Sequence, residues 1–533
     1  MTKGVDPARL REWLLDGDEL ALFDVREELV FGGAHILYAS CLPLSRLELK
    51  AAALAPRRSV RMVVCDGGEG LAERAAARLE RLGYANVGVL QGGTVGWSNA
   101  GYELFSGVNV PSKAFGEIVE HEYGTPSVSP TELKTKLDGG EDVVILDSRP
   151  FAEYHARNIP GGICVPGGEL VYRVEELTRH DNALVVVNCA GRTRSIIGAQ
   201  SLINAGVSNQ VVALRNGTMG WHLAGQPLET GMSRRAPAVS AENLTVAKRR
   251  ARAVAERFGV MSISGSDLKR LRAEQDHRSL FLLDVRNPEE YETGHRPGSR
   301  SAPGGQLVQE TDQFIGTLGA RVVLLDNDGV RATMTASWLI QMGWKEVYVL
   351  EDAFKDTELE TGREPVQILG LSGVKTADVS PEALSELLSK DSVSVIDVGL
   401  SRSYRDGHVP GAWFVLRARF EQTLPSLDLR DLVVITSEDG VLARLGAEEA
   451  ATASGRKVRL LSGGTAAWAE AGLKLESGAT RMADPPEDIW LRPYEKDWGV
   501  EEAMQDYLTW EVALVEQIER DGTARFRHRQ EFD

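Results

Sequence analysis

Cysteine is scarce, with four residues in 533, at Cys41, Cys65, Cys164 and Cys189. They are too few to staple so long a chain and form no C-x-x-C pair. This excludes a disulfide scaffold, a zinc ribbon and a thioredoxin-like dithiol, so any cysteine with chemistry acts alone. Positive charge is also short: 60 Lys and Arg against 77 Asp and Glu leave a formal net charge of -17, which opposes binding to a nucleic-acid backbone. Long apolar runs are missing too. "MTKGVDPARLREWLL" is charged throughout, and no run approaches membrane-spanning length. The nine histidines are scattered, and "HEYG" at His121 lacks the second histidine of a metalloprotease helix, so neither a metal nor a cofactor is expected. The expectation is a cytoplasmic protein with no membrane and no nucleic-acid partner.

What is present is repetition. Four copies each open on an apolar strand ending in aspartate: "ALFDVRE" (Asp24), "VVILDSRP" (Asp147), "LFLLDVRNPEEY" (Asp284) and "VSVIDVGLSRSY" (Asp397). A turn follows at His35, Asn158, His295 or His408, with X-Pro-Gly in three of the copies. A second apolar strand ends at a short loop, "RMVVCDGGEG", "LVVVNCAGRTRS", "RVVLLDNDGVRA" or "LVVITSEDGVLA", and leads into a helical stretch. Three copies close on a strand, a glycine turn and a tryptophan (Trp97, Trp221, Trp468), whereas "VYVLEDAFKDTEL" has lost both glycines and tryptophan. These tryptophans read as scaffold, because one recurs in a copy without cysteine.

Continuous Val/Ile/Leu strands alternating with helices predict an α/β fold, in which each copy is a small parallel sheet with helices on both faces. The expected units are 1–107, 125–232, 261–366 and 374–478. A linker helix over 233–260 is read as a solvated spacer, and 479–533 forms a helical C-terminal extension in which Met504, Leu508, Val515 and Ile518 share a face.

In such sheets ligands bind beyond the carboxyl ends of the strands, where the Cys189 loop lies. A cysteine between a buried strand and a helix start meets unpaired N–H groups and the positive end of the helix dipole. With Arg192 and Arg194 close by, its pKa is expected to fall from ~8.5 to about 7 or below. The same amides and guanidinium groups can cradle an oxyanion. Thiolate and anion pocket together fit nucleophilic attack on sulfur, phosphorus or arsenic, through a covalent enzyme intermediate.

The D-x-R strand end, the H-x-P-G turn, C-x4-R-S after a Val-rich strand and the closing G-G-x-x-x-W resemble the rhodanese family of sulfurtransferases, repeated four times between about residues 7 and 478. The resemblance implies four tandem rhodanese-like domains. It also implies that Cys189 takes sulfane sulfur from a small donor such as thiosulfate, becomes a persulfide and passes the sulfur to cyanide or a thiol. Arg194 matches the family's arginine and Ser195 the hydroxyl after it. Ala190, Gly191, Arg192 and Thr193 complete the substrate-binding loop, with Gly191 one place earlier than the family's usual glycine. Phosphatases and arsenate reductases of the same fold have a loop one residue longer, and a largely non-catalytic binding scaffold is the other alternative. A homodimer is a candidate assembly.

Cys65 is read at the equivalent place in the first copy, as a second candidate site, but Asp66 and Glu69 there disfavour thiolate and anionic donor alike. Asp326 and Ser437 take the cysteine's place in the third and fourth copies, which are expected to be inactive. Cys41 and Cys164 are read as core, and Asp147 with Arg149 as a structural ion pair.

Overall fold

The computed structural model describes residues 3–178, 180 and 182–533. Four parallel sheets follow one another along the chain, each of five strands in the spatial order 1-5-4-2-3 and flanked by helices. In the second unit the strands are Ser127–Val128, Val143–Asp147, Ile163–Cys164, Leu184–Asn188 and Val211–Leu214. Leu184–Asn188 is buried along its whole length, as a central strand covered on both faces must be. Strands 4 and 2 are neighbours, and the chain runs outward from them in opposite directions. The loops after them therefore diverge, which opens a crevice at this switch point.

The units form one packed body. Units 2 and 3 meet along facing glycines: a Cβ on Gly305 would stand 2.8 Å from the Gly167 nitrogen and 2.9 Å from its Cα. Charge crosses this seam in both directions. Arg331 of unit 3, fully buried, donates to Glu169 of unit 2 at 2.9 Å, and Arg194 of unit 2 donates to Gln306 of unit 3 at 3.1 Å. Units 1 and 4 are tied by Arg417, which donates to both carboxylate oxygens of Glu48 at 2.9 Å.

The linker segment departs from expectation. Its Ala241–Phe258 helix buries Ala247, Ala251, Val254 and Phe258 in one cluster with Val171 and Val174 of unit 2 and Val330 and Met334 of unit 3. Those four residues recur at steps of four, three and four and so share a face. The basic residues that made the segment read as a spacer occupy the rest of the circumference. It is mortar between two domains.

Two further helices place the site. Val110–Tyr123, between the first two expected units, packs Phe115 and Val119 against Ile196 and Ile197. The C-terminal helix Val500–Asp521 buries Met504, Leu508, Glu511, Leu514 and Ile518. Leu514 takes the buried place expected for Val515, and a glutamate lies among the apolar positions. No helix among the described residues is long and apolar enough to cross a membrane.

Candidate active site

Unit 2's fourth strand ends at Asn188 and its next helix begins at Thr193, so Cys189 sits at the start of the connecting loop, facing a helix N-terminus at the switch point. The residue is 2% exposed, and its Sγ lies 3.5 Å from Ser195 Oγ, which donates to the Arg192 carbonyl at 2.7 Å. From below, Thr218 donates to the Cys189 carbonyl through N and Oγ1 at 2.8 and 3.0 Å, and Met219 N donates to the Ala190 carbonyl at 3.0 Å. This support requires Gly217: its φ is +54°, and a Cβ there would stand 2.4 Å from the Cys189 oxygen. The closing glycine turn of the repeat is thus the floor of the cysteine loop. Beneath it, Arg149 clasps Asp147 through two bonds of 2.8 and 2.6 Å, both side chains buried.

Sheet register corrects the place of Cys65. Asp147 pairs with Asn188, Asp284 with Leu325 and Asp397 with Thr436, each one residue before Cys189, Asp326 and Ser437 respectively. In the first unit Asp24 pairs with Cys65 itself, so Asp66 is the counterpart of Cys189. The Cys65 thiol is a strand residue, fully buried in an apolar cluster, and burial pushes its pKa well up.

What fills the other three loops is informative. Asp66 accepts from the Gly68 and Ala72 amides at 2.8 and 3.0 Å. Asp326 accepts from Gly329 and Ala332 at 2.6 and 3.1 Å, and burial raises its carboxyl to about 6. Ser437 Oγ accepts from Ala443 at 3.2 Å. Each side chain occupies the anion-binding helix start of its own unit. In unit 2 the residue at that position is a thiol.

The two loop arginines have different surroundings. Arg192 is held by the Val110–Tyr123 helix: it donates to both oxygens of Glu117 at 2.7 Å, bonds Glu120 and reaches Asn216 at 3.2 Å. Arg194 donates to both oxygens of Glu153 at 2.9 Å, and Arg492 of the C-terminal extension reaches the same carboxylate at 3.3 Å. Burial disfavours the charge on Glu153, but Arg194 and then Arg492 outweigh it and hold the carboxyl at about 2. Two guanidinium groups sharing one carboxylate hold one positive charge in excess between them, in a cavity wall that also carries Glu28, Glu310, Glu495 and Glu511.

That cavity, about 440 Å³, is built by the whole chain. The loop from Cys189 to Arg194 lines it, with Phe31 and Cys41 from unit 1, Gln309 from unit 3 and Arg402 from unit 4. Glu28, Met219, Glu310 and Gln313 of units 1 to 3 also line it, and much of the remaining wall comes from Lys113 and the extension. Glu511, 1% exposed, accepts from Lys113 Nζ at 3.3 Å, from Tyr507 OH at 3.1 Å and from Thr193 Oγ1 at 3.4 Å, and Lys113 also bonds the Tyr507 hydroxyl. Arg492, Lys113, Tyr507 and Glu511 were not singled out from the sequence. The one signal was a glutamate on the apolar face of an amphipathic helix. Cys41 lines the same cavity as Cys189, whereas Cys164 lines a separate one of about 490 Å³ between units 2 and 3.

The model of the rhodanese-like domain matches residues 6–100, 129–224, 264–359 and 380–471. A crystal structure of thiosulfate sulfurtransferase from Pseudomonas aeruginosa is 50% identical, with a TM-score of 0.96 over 98% of this chain and 99% of that one. An HTH-type transcriptional regulator of Mycobacterium tuberculosis is 34% identical over 110 residues, 20% of this chain, and this chain spans about half (47%) of that protein's length. The thiosulfate sulfurtransferase GlpE of Pseudoalteromonas translucida is 26% identical over 84 residues, 15% of this chain and 73% of that protein.

Proposed function

Because the chain belongs to the rhodanese-like family, we propose that it is a sulfurtransferase that moves sulfane sulfur through a persulfide on Cys189. One observation carries this reading: of the four equivalent loop positions, those in units 1, 3 and 4 hold a side chain that caps its own helix, and only Cys189 presents a nucleophile to a cavity. Its resemblance to a thiosulfate sulfurtransferase over nearly its whole length supports thiosulfate as donor.

Donor binding follows from charge. The dianion is drawn to the helix start and to Arg194 and Arg492, whose single shared carboxylate leaves charge to spare. The Cys189 thiolate attacks the sulfane sulfur, the donor's S–S bond breaks, and sulfite departs with the bonding electron pair. The persulfide retains its negative charge, stabilised by the amides at the helix start. An acceptor, cyanide or a thiolate, then attacks the outer sulfur, and Cys189 leaves as thiolate. Arg192, clamped by Glu117, fixes the loop against the Val110–Tyr123 helix in place of steering the donor.

All four units and the C-terminal extension contribute to the walls of the Cys189 cavity. Four free buried cysteines fit a reducing compartment, the cytoplasm. Thiosulfate:cyanide turnover tests the proposal: the wild type should be active and Cys189→Ala inactive. An active Cys189→Ala protein would overturn it.

A further inference from the structure

A second cavity, about 780 Å³, adjoins the Cys189 cavity. The two share Arg402, Ile489, Trp490, Pro493, Glu495 and Tyr507. The larger one is a chamber with mostly apolar walls, including Leu29, Leu491, Trp490 and Trp510. Its indoles are seated in place. A Cβ on Gly32 would stand 2.3 Å from the Trp490 ring, and one on Gly107 would stand 2.3 Å from the Trp510 ring, so both rings lie against backbone of the first unit. Leu29 and Leu491, 41% and 38% exposed, add apolar surface to the same chamber as the two indoles. The charged residues along the chamber are of both signs, with Arg405 and Lys496 against Asp406 and Asp497.

We infer that this chamber is the acceptor subsite of the sulfur transfer proposed above, and that it takes a small thiol with an uncharged apolar or aromatic body. The inference rests on that reading of Cys189. A small dianion is accommodated at Arg194 and Arg492 and has no use for an apolar chamber. The chamber's volume matches that of sites holding molecules with a sizeable apolar body. Mixed charge offers a large anion no net attraction. A body lodged between Trp490, Trp510 and Leu491 would send its sulfur across the shared wall toward Cys189. The wall the two spaces share includes the Arg402–Glu495 ion pair, 3.3 Å long with the arginine half exposed, a weak surface-type pair. In the transfer the acceptor thiolate attacks the outer sulfur of the persulfide. The new S–S bond forms on the acceptor as the old one to Cys189 breaks, and Cys189 leaves as thiolate, so no oxidant or reductant is needed.

The experiment loads the full-length protein with thiosulfate, verifies the gain of one sulfur atom on Cys189 by mass, and follows discharge to 2-phenylethanethiol and to 2-mercaptoethanol. Both probes are simple alkyl thiols, so the ratio of their KM values reads the body and not the sulfur. The expected ratio is about tenfold or more in favour of phenylethanethiol, from burial of the ring. Leu29→Arg at the rim and Ala503→Trp on the C-terminal helix, both lining the chamber, should each bring the ratio close to one. A wild-type ratio near one, a ratio that survives both substitutions, or a cysteine peptide that outcompetes phenylethanethiol would overturn the assignment. Absence of any sulfur adduct on Cys189 would instead overturn the sulfurtransferase reading, so the two failures are distinguishable.

Discussion

Replacing Glu153 by glutamine removes the carboxylate that Arg194 and Arg492 share. The native environment takes the Glu153 carboxyl from 4.5 to about 2, a gap worth about 3 kcal/mol at roughly 1.4 kcal/mol per pKa unit. Stranding one partner of a buried pair costs about 3–5 kcal/mol. Arg194 is nearly buried, but the Arg492 side chain is 41% exposed and screened by water, so its share is smaller. The expected loss is about 2–4 kcal/mol at pH 7. Because the folded-state pKa is depressed, the stabilisation is complete above pH 4.5 and disappears as pH falls toward 2. The gap between wild type and variant should therefore close over that window. Amide hydrogen exchange in Leu184–Asn188 and Thr193–Asn204 reports the local opening free energy without assuming one transition for a four-unit chain, and urea titrations at pH 7 and pH 3 follow the acid limb. A loss below about 0.5 kcal/mol at pH 7, or a gap that widens in acid, would refute the shared-carboxylate account.

Other expectations follow from neighbouring geometry. Arg192→Ala strands Glu117 in the interior and should cost about 3–5 kcal/mol of local stability, measured by amide hydrogen exchange in Val110–Tyr123 and Thr193–Asn204, while the donor KM moves by less than about threefold. Arg492→Ala, which removes a cation from the cavity wall, should do the reverse and raise the KM for thiosulfate about tenfold or more, because one charge-assisted hydrogen bond is worth about 1.5–3 kcal/mol. Gly305→Ala forces a Cβ to 2.8 Å from backbone of unit 2, and the overpacked seam should lose about 1–3 kcal/mol, read as faster hydrogen exchange on both sides of it.

Much of the fold is legible because the strands are the signal. Four apolar runs ending in Asp24, Asp147, Asp284 and Asp397 announce four parallel sheets, and "NCAGRTRS" stands out against its three counterparts. Register is not legible. Matching "CDGGEG" to "CAGRTRS" by their cysteines places Cys65 in the loop, whereas the pairing of Asp24 with Cys65 sets it one residue earlier, in the strand. Partners distant in sequence are hidden as well. That Arg192 belongs to Glu117, and that Arg194 shares Glu153 with Arg492, depends on helices and loops brought together only by tertiary packing. The linker misled because its composition is basic while its buried face is only four residues wide. The three loops without the nucleophile also gain a meaning: their side chains cap their own helices, and their units contribute walls to a single cavity.

Intact-mass measurement after thiosulfate treatment, followed by peptide mapping, tests the persulfide most directly. The expected result is the gain of one sulfur atom, located on Cys189, and its absence in Cys189→Ala with Cys41, Cys65 and Cys164 intact. An unmodified wild-type protein, or an adduct of equal yield in Cys189→Ala, would contradict it.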